Sequence, residues 1–391
     1  MNIFEPSYPF LVKYWREDKR LSESDIYNTI FPVWTYSSPV VLLLFGVLSE
    51  SIGHKPVIII GQICSVITTV ITILCYRPLE IIFSQITVGA GNASYLIFGA
   101  YIYHLADSSQ FQHITSYTKC AYLSGLVLSA LLGQFLVSYL HVRLVVVFII
   151  TLAARTESTC ISFGFPWVKR EMSIEGAKKI AIEFSHLYKH PSLLVLCLWS
   201  IMMTSTHHLA VTYWQSIFEF VDKTVDWNGV VNGVSALFAA GASLIPIKIA
   251  SKVEKRLTYF QLFILFLSGG FLIMMGAATH IYVAYAGYIL YYSIHEFGTT
   301  LVSAQIAKMI SKKIKSDHYA LFFTFQSLLA ALMQFALQSA IHAANLRIDH
   351  QFLAFGATLW FTMLIYVVYF SVKWMKQKSD QELQTPILTI N

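Results

Sequence analysis

Eleven apolar stretches, each near the length of a membrane crossing, recur from one end of this chain to the other. They cover residues 30–49, 56–75, 80–106, 114–140, 142–165, 192–218, 228–250, 257–279, 281–307, 319–342 and 350–372. About 20 apolar residues in a helix cross the roughly 30 Å of hydrocarbon in a bilayer. Lipid offers backbone amides and carbonyls no partner, so such stretches must be helical. The expected fold class is an all-α polytopic membrane protein with eleven transmembrane helices. Composition agrees: of 391 residues 56% are hydrophobic and 12% charged, where soluble domains carry about 25% charged.

The net charge of +6 is explained by its placement and is no nucleic-acid footprint. One set of connectors holds Lys55, then Lys169, Arg170, Lys178, Lys179 and Lys189, then Lys248, Lys252, Lys255 and Arg256. It continues with Lys308, Lys312, Lys313 and Lys315, and the tail adds Lys373, Lys376 and Lys378. The alternate connectors hold only Arg77, Arg143, Lys223 and Arg347. Basic connectors stay on the cytoplasmic side, so the C-terminus is expected in the cytoplasm and the N-terminus outside. No cleavable signal peptide opens the chain. Lys308–Lys315 reads as a solvated cytoplasmic face attracted to anionic membrane lipid.

The organisation expected is an extracellular segment 1–29, a first half of five spans over 30–165, a cytoplasmic linker 166–191, a second half of six spans over 192–373, and a tail 374–391. Two halves around such a linker are common in secondary transporters, usually with six helices each. Five spans and an outer N-terminus are what a twelve-helix chain leaves when its first helix is absent. The five cysteines (Cys64, Cys75, Cys120, Cys160, Cys197) form no CxxC and read as buried hydrophobes. No metal, cofactor or redox site is expected from them.

The connector after the first span reads GVLSESIGHKP. Its Gly46, Glu50, Gly53 and Lys55 resemble the signature of the major facilitator superfamily, in which glycines allow a tight turn and the acid latches a cytoplasmic gate. The stretches NTIFPVWTYS from Asn28, HKPVIII from His54, AYIYHL from Ala100 and TFQSLLAALMQ from Thr324 are similar to the reduced-folate and thiamine carrier family, with wording nearer the thiamine carriers. The resemblance covers nearly the whole chain. It implies a plasma-membrane vitamin carrier working by alternating access, with no enzymatic activity.

That resemblance also implies where charges should stand, and here they do not. Positions acidic in thiamine carriers fall on Tyr8, Tyr95 and Asn232, and folate-type basic positions fall on Tyr292 and Gln334. A relative without folate or thiamine transport, regulatory or scaffolding, is the competing expectation. The residues left to line a cavity are His207 and His208 in the sixth span and His295 and Glu296 in the ninth. A charge at bilayer depth costs roughly 2.5–3.5 kcal/mol and usually has a role, so Glu296 stabilises a cation, shares a proton with histidine, or makes a buried interhelical bond. Neighbours on a helix point in different directions, so at most one of each pair faces a given spot. Trp34, Tyr36 and Tyr95 offer faces for a flat heterocycle at about 1 kcal/mol per good contact, or serve packing alone. An intramembrane hydrolase on His295 and Glu296 lacks the ligand spacing such sites show. Arg155 and Glu157, deep in the fifth span, have no partner legible in the sequence.

Overall fold

A computed structural model describes residues 4–105, 111–167, 191–224, 227–253, 256–311 and 319–384. Among them there is no strand. A 3-10 turn, Tyr8–Phe10, leads into the short helix α1 (Leu11–Glu17). A π-helical turn, Asp25–Ile30, runs on into α2 (Phe31–Ile52). The first half continues with α3 (His54–Leu74), α4 (Pro78–Leu105), α5 (Phe111–Gln134) and α6 (Leu144–Phe163). The second half holds α7 (Pro191–Val221), α8 (Asn228–Val253), α9 (Leu257–Gly276), α10 (Ile281–Ser311), α11 (Tyr319–Ala343) and α12 (Ile348–Gln384).

Among the described residues nine helices are long and apolar enough to cross a membrane. Helices α10 and α11, of 31 and 25 residues, stand where the ninth and tenth crossings are expected. Large apolar side chains turn outward on several helices, including Leu43, Leu44 and Val47 on α2 and Phe361, Ile365 and Val368 on α12. Such a surface suits lipid. The last helix runs well past the expected end at 372, because VKWMKQKSDQELQ contains no proline or glycine and is rich in good helix formers. Most of the linker and the segment 312–318 lie outside the described residues, and so do the side chains of Lys308, Lys312, Lys313 and Lys315.

Within lipid, helices gain from close backbone approach more than from apolar burial. Gly61 on α3 and Gly91 on α4 show this. A Cβ on Gly61 would stand 2.1 Å from the Ser94 Cβ, and one on Gly91 would stand 2.3 Å from the Ser65 Oγ. In the second half, a Cβ on Gly356 of α12 would meet the Gly269 carbonyl of α9 at 2.6 Å. The α2–α3 turn needs Gly53, whose φ of 87° is costly for any side chain. Beyond that turn Lys55 Nζ donates to the Phe163 carbonyl at 2.8 Å, placing a cation at the negative C-terminal end of α6. Of the signature residues, Gly53 and Lys55 therefore tie α2, α3 and α6. Gly46 faces open space, and the Glu50 side chain lies outside the described residues.

The segment before α2 is built into the bundle. Phe10 and Trp15 are fully buried in the main core, which also contains Val147 and Phe148 of α6 and Trp214 of α7. Gln215 of α7 clamps it, donating to the Tyr8 carbonyl at 2.6 Å and accepting from the Val12 amide at 3.0 Å. Lys19 donates to the Ile73 carbonyl at 2.5 Å near the C-terminal end of α3 and lies 3.7 Å from the Tyr76 ring centroid. Arg155 now has its partners. Its Nη2 reaches Glu5 Oε1 at 2.6 Å, and its Nη1 donates to Thr69 Oγ1 at 2.6 Å and to the Ser65 carbonyl at 3.0 Å. Glu157 is exposed on the same helix, and the structure gives no account of it.

The two halves meet along α2–α11, α5–α8 and α4–α11. Near the α7–α8 connector, Arg16 pairs with Glu219 at 2.5 Å and Lys223 with Glu23 at 2.7 Å.

Two outcomes are expected. Removing one member of a mostly buried ion pair costs about 3–5 kcal/mol, while an apolar replacement of both is far milder. Arg155→Met alone should therefore lower the thermal midpoint of the purified protein well below that of the Arg155→Met/Glu5→Leu pair. The Glu23 carboxyl is held below its ordinary value of 4.5, first by its hydrogen bond from Lys223. Its contribution is present above the unfolded value and lost as pH falls through the lower folded one. Acid titration with and without Glu23→Gln should show a small, salt-sensitive loss below about pH 4.5, and only with Glu23.

Candidate functional site

Helix α2 carries Pro39 in its interior, which removes the amide that would bond the Thr35 carbonyl. At this loosened turn the two halves are joined by side chains. Gln334 of α11, fully buried, donates to Thr35 Oγ1 at 3.2 Å, and its Oε1 lies 3.2 Å from His208 Nδ1 of α7. Trp34 meets the His208 ring edge-on at 6.1 Å, and Tyr36 meets Phe335 of α11 at 5.0 Å. The opening FPVWTYS motif thus supplies a helix that leans on the other half through two aromatic rings and one hydroxyl.

The adjacent His207 turns toward α10. Its ring lies parallel to that of His295, 3.6 Å between centroids and 5° between planes. Tyr292 and Tyr291 stand 5.2 and 5.9 Å from the same ring. Glu296 Oε1 is 3.6 Å from His295 Nδ1, too long for a hydrogen bond. Both His295 nitrogens and His207 Nδ1 are buried without a hydrogen-bond partner, at about 1–3 kcal/mol for each unmet group. His207 and His208 serve different contacts within the cluster, whereas the equally adjacent His295 and Glu296 both bring a ligand atom within 4.8 Å of His207.

Two further features reach the same place. Tyr95 of α4, 40% exposed, lies 5.8 Å from Tyr122 of α5, and both sit within electrostatic reach of Glu296. A column of rings leads in from the N-terminal segment: Tyr8 to Trp214 at 6.1 Å, Trp214 stacked on Tyr288 at 5.0 Å, Tyr288 to Tyr292 at 5.9 Å, then His207. Asn232 is buried on α8 with its Nδ2 unpaired, and no ring or hydrogen-bond contact among the described residues ties it to the cluster. Every other residue expected at the cavity belongs to the gathering. Tyr122 and Tyr291 were not anticipated, because nothing in the local sequence distinguishes them from packing residues.

Six helices, three from each half, converge on a polar and aromatic centre, and comparison with known proteins says what kind of chain is built so. The reduced folate carrier family profile matches residues 1–179 and 174–354. The chain belongs to the reduced folate carrier family. A folate-like transporter of Dictyostelium discoideum is 32% identical over 371 residues, 94% of this chain. The chain spans 64% of that relative's length. Human thiamine transporter 1 is 24% identical, with 95% of this chain and 87% of the human protein aligned. Among solved structures, the xylose transporter XylE from E. coli superposes with a TM-score of 0.66 at 14% identity, covering 93% of this chain and 94% of the other. The nucleoside transporter NupG gives 0.65 at 10% identity, covering 94% and 96%. At such identities the match speaks for fold: this reduced folate carrier family member is a major facilitator-type two-half bundle.

Interhelical hydrogen bonds inside membranes are worth about 0.6 kcal/mol on average and up to roughly 1.7. Gln334→Leu, which breaks both, should lower stability by about 1–2 kcal/mol in detergent thermal unfolding. An unchanged midpoint would show that the bridge holds nothing.

Proposed function

We propose that this protein is an alternating-access secondary carrier for a small planar vitamin of the folate or thiamine class. It sits in the plasma membrane with its C-terminus in the cytoplasm, an orientation supported by the lysine-rich connectors. One observation carries the reading: both halves of a carrier fold contribute side chains to a single buried polar and aromatic cluster. Rocking one half against the other around such a midplane site is how two-half carriers expose it to each side in turn. Breaking the Thr35–Gln334 bond is a local event at the cluster that such rocking requires.

The chemistry of the cluster favours the cationic side of the substrate class. Among the described side chains gathered there, the ionisable groups include the Glu296 carboxylate and three histidines, and none is lysine or arginine. Trp34, Tyr95 and Tyr292 supply faces for an aromatic cation, to which rings are attracted by about 0.5–2 kcal/mol each. A thiamine-like ring fits this better than a dianionic folate.

Uptake of labelled thiamine and folate into cells carrying the chain at their surface tests the proposal. Saturable thiamine uptake is expected. Glu296→Gln should lower its kcat/KM roughly 10–100-fold, the worth of a charge-assisted contact of about 1.5–3 kcal/mol. No saturable uptake of either vitamin despite surface expression would favour the other reading, a family member serving as a regulatory or scaffolding membrane protein.

A further inference from the structure

The geometry points to a divalent transition-metal site formed by His207, His295 and Glu296. One ligand atom from each of the three lies within 4.8 Å of the other two. His295 is 5% exposed, and neither of its ring nitrogens has a hydrogen-bond partner; His207 Nδ1 is likewise buried and unmet. A membrane interior normally satisfies such atoms or dispenses with them. Three unmet nitrogens beside a carboxylate are donors arranged without a recipient.

Donor type narrows the ion. Two imidazoles and one carboxylate suit zinc, copper, nickel or iron, whereas calcium and magnesium prefer several oxygens. Metal bonds of about 2.0–2.2 Å put tetrahedral donors roughly 3.4 Å apart, so the observed spacing must close by little more than an ångström. Stacked rings confine their in-plane lone pairs to parallel planes that do not converge on one ion, and binding therefore requires one imidazole to rotate out of the stack. Glu296 cancels one of the two positive charges. Three protein donors leave a position open, as in zinc sites that accept water or an exogenous ligand. The site does not depend on what the carrier moves, and direct binding measures it separately from transport.

The test is titration of the purified full chain in detergent with zinc, followed by calorimetry, and with cobalt, followed by its visible absorption. One ion per chain is expected, with a cobalt spectrum of nitrogen and oxygen ligation. His207→Ala, His295→Ala and His295→Gln should each weaken binding by more than the roughly 10–100-fold that loss of a supporting partner costs. Glu296→Gln should weaken it as well. His280→Ala, at an exposed surface histidine, should leave it unchanged. The two His295 replacements keep the result readable should one fold poorly, and thermal midpoints check folding. Absence of saturable binding, or binding that survives loss of either cluster histidine, would overturn the site. Binding abolished by His280→Ala would reassign the ion to the surface.

Discussion

Lipid cannot hydrogen-bond, and most of what distinguishes this chain follows from that. Helices satisfy the backbone, so the fold reduces to how helices meet and where their polar side chains find partners. Close approach through Gly61, Gly91, Gly269 and Gly356 gives each half a fixed frame. The remaining polar groups are drawn together where helices meet. Arg155 is the plainest case: its guanidinium gathers Glu5, Thr69 and Ser65 across three parts of the chain. Between halves Gln334 makes one neutral bond, to Thr35, while its contact with His208 stays within the second half. A frame held by glycine contacts is hard to deform, while one neutral bond at the centre of the seam is cheap to open. A carrier needs both.

The N-terminal segment changes how the centre is understood. Its tyrosine and tryptophan fill space beside α6 and α7, and Tyr8 heads the column of rings that ends at His207. Aromatic side chains combine large contact area with polar tips. A lining of this kind offers ring faces for stacking and polar atoms at the edges, which is what the proposed flat ligand would need. Glu296 brings a carboxylate to that lining, 3.6 Å from the His295 ring nitrogen.

The helices were legible because hydropathy over 20 residues reports the length of a crossing directly. The family resemblance was legible in FPVWTYS and HKPVIII, and the structure places Trp34 and Tyr36 of the former on the seam between halves. What could not be read is rotation. In a helix apolar on most faces, nothing local says which face meets which neighbour, so the stacking of His207 on His295 was hidden by their positions on different helices. Glu5 as partner of Arg155 was hidden similarly, because a proline-containing segment too short to span gives no sign of folding inward. Each missed feature is a contact between distant elements, and each read feature belongs to one element.

The central claim is that the two halves move against each other around the shared cluster. Spin labels at Tyr139→Cys, beyond α5, and Trp227→Cys, just before α8, report the seam at one face when native cysteines are replaced. Their distance distribution should contain two populations whose balance shifts when Gln334→Leu breaks the bridge or when thiamine is added. A single distance, unmoved by either change, would contradict the account.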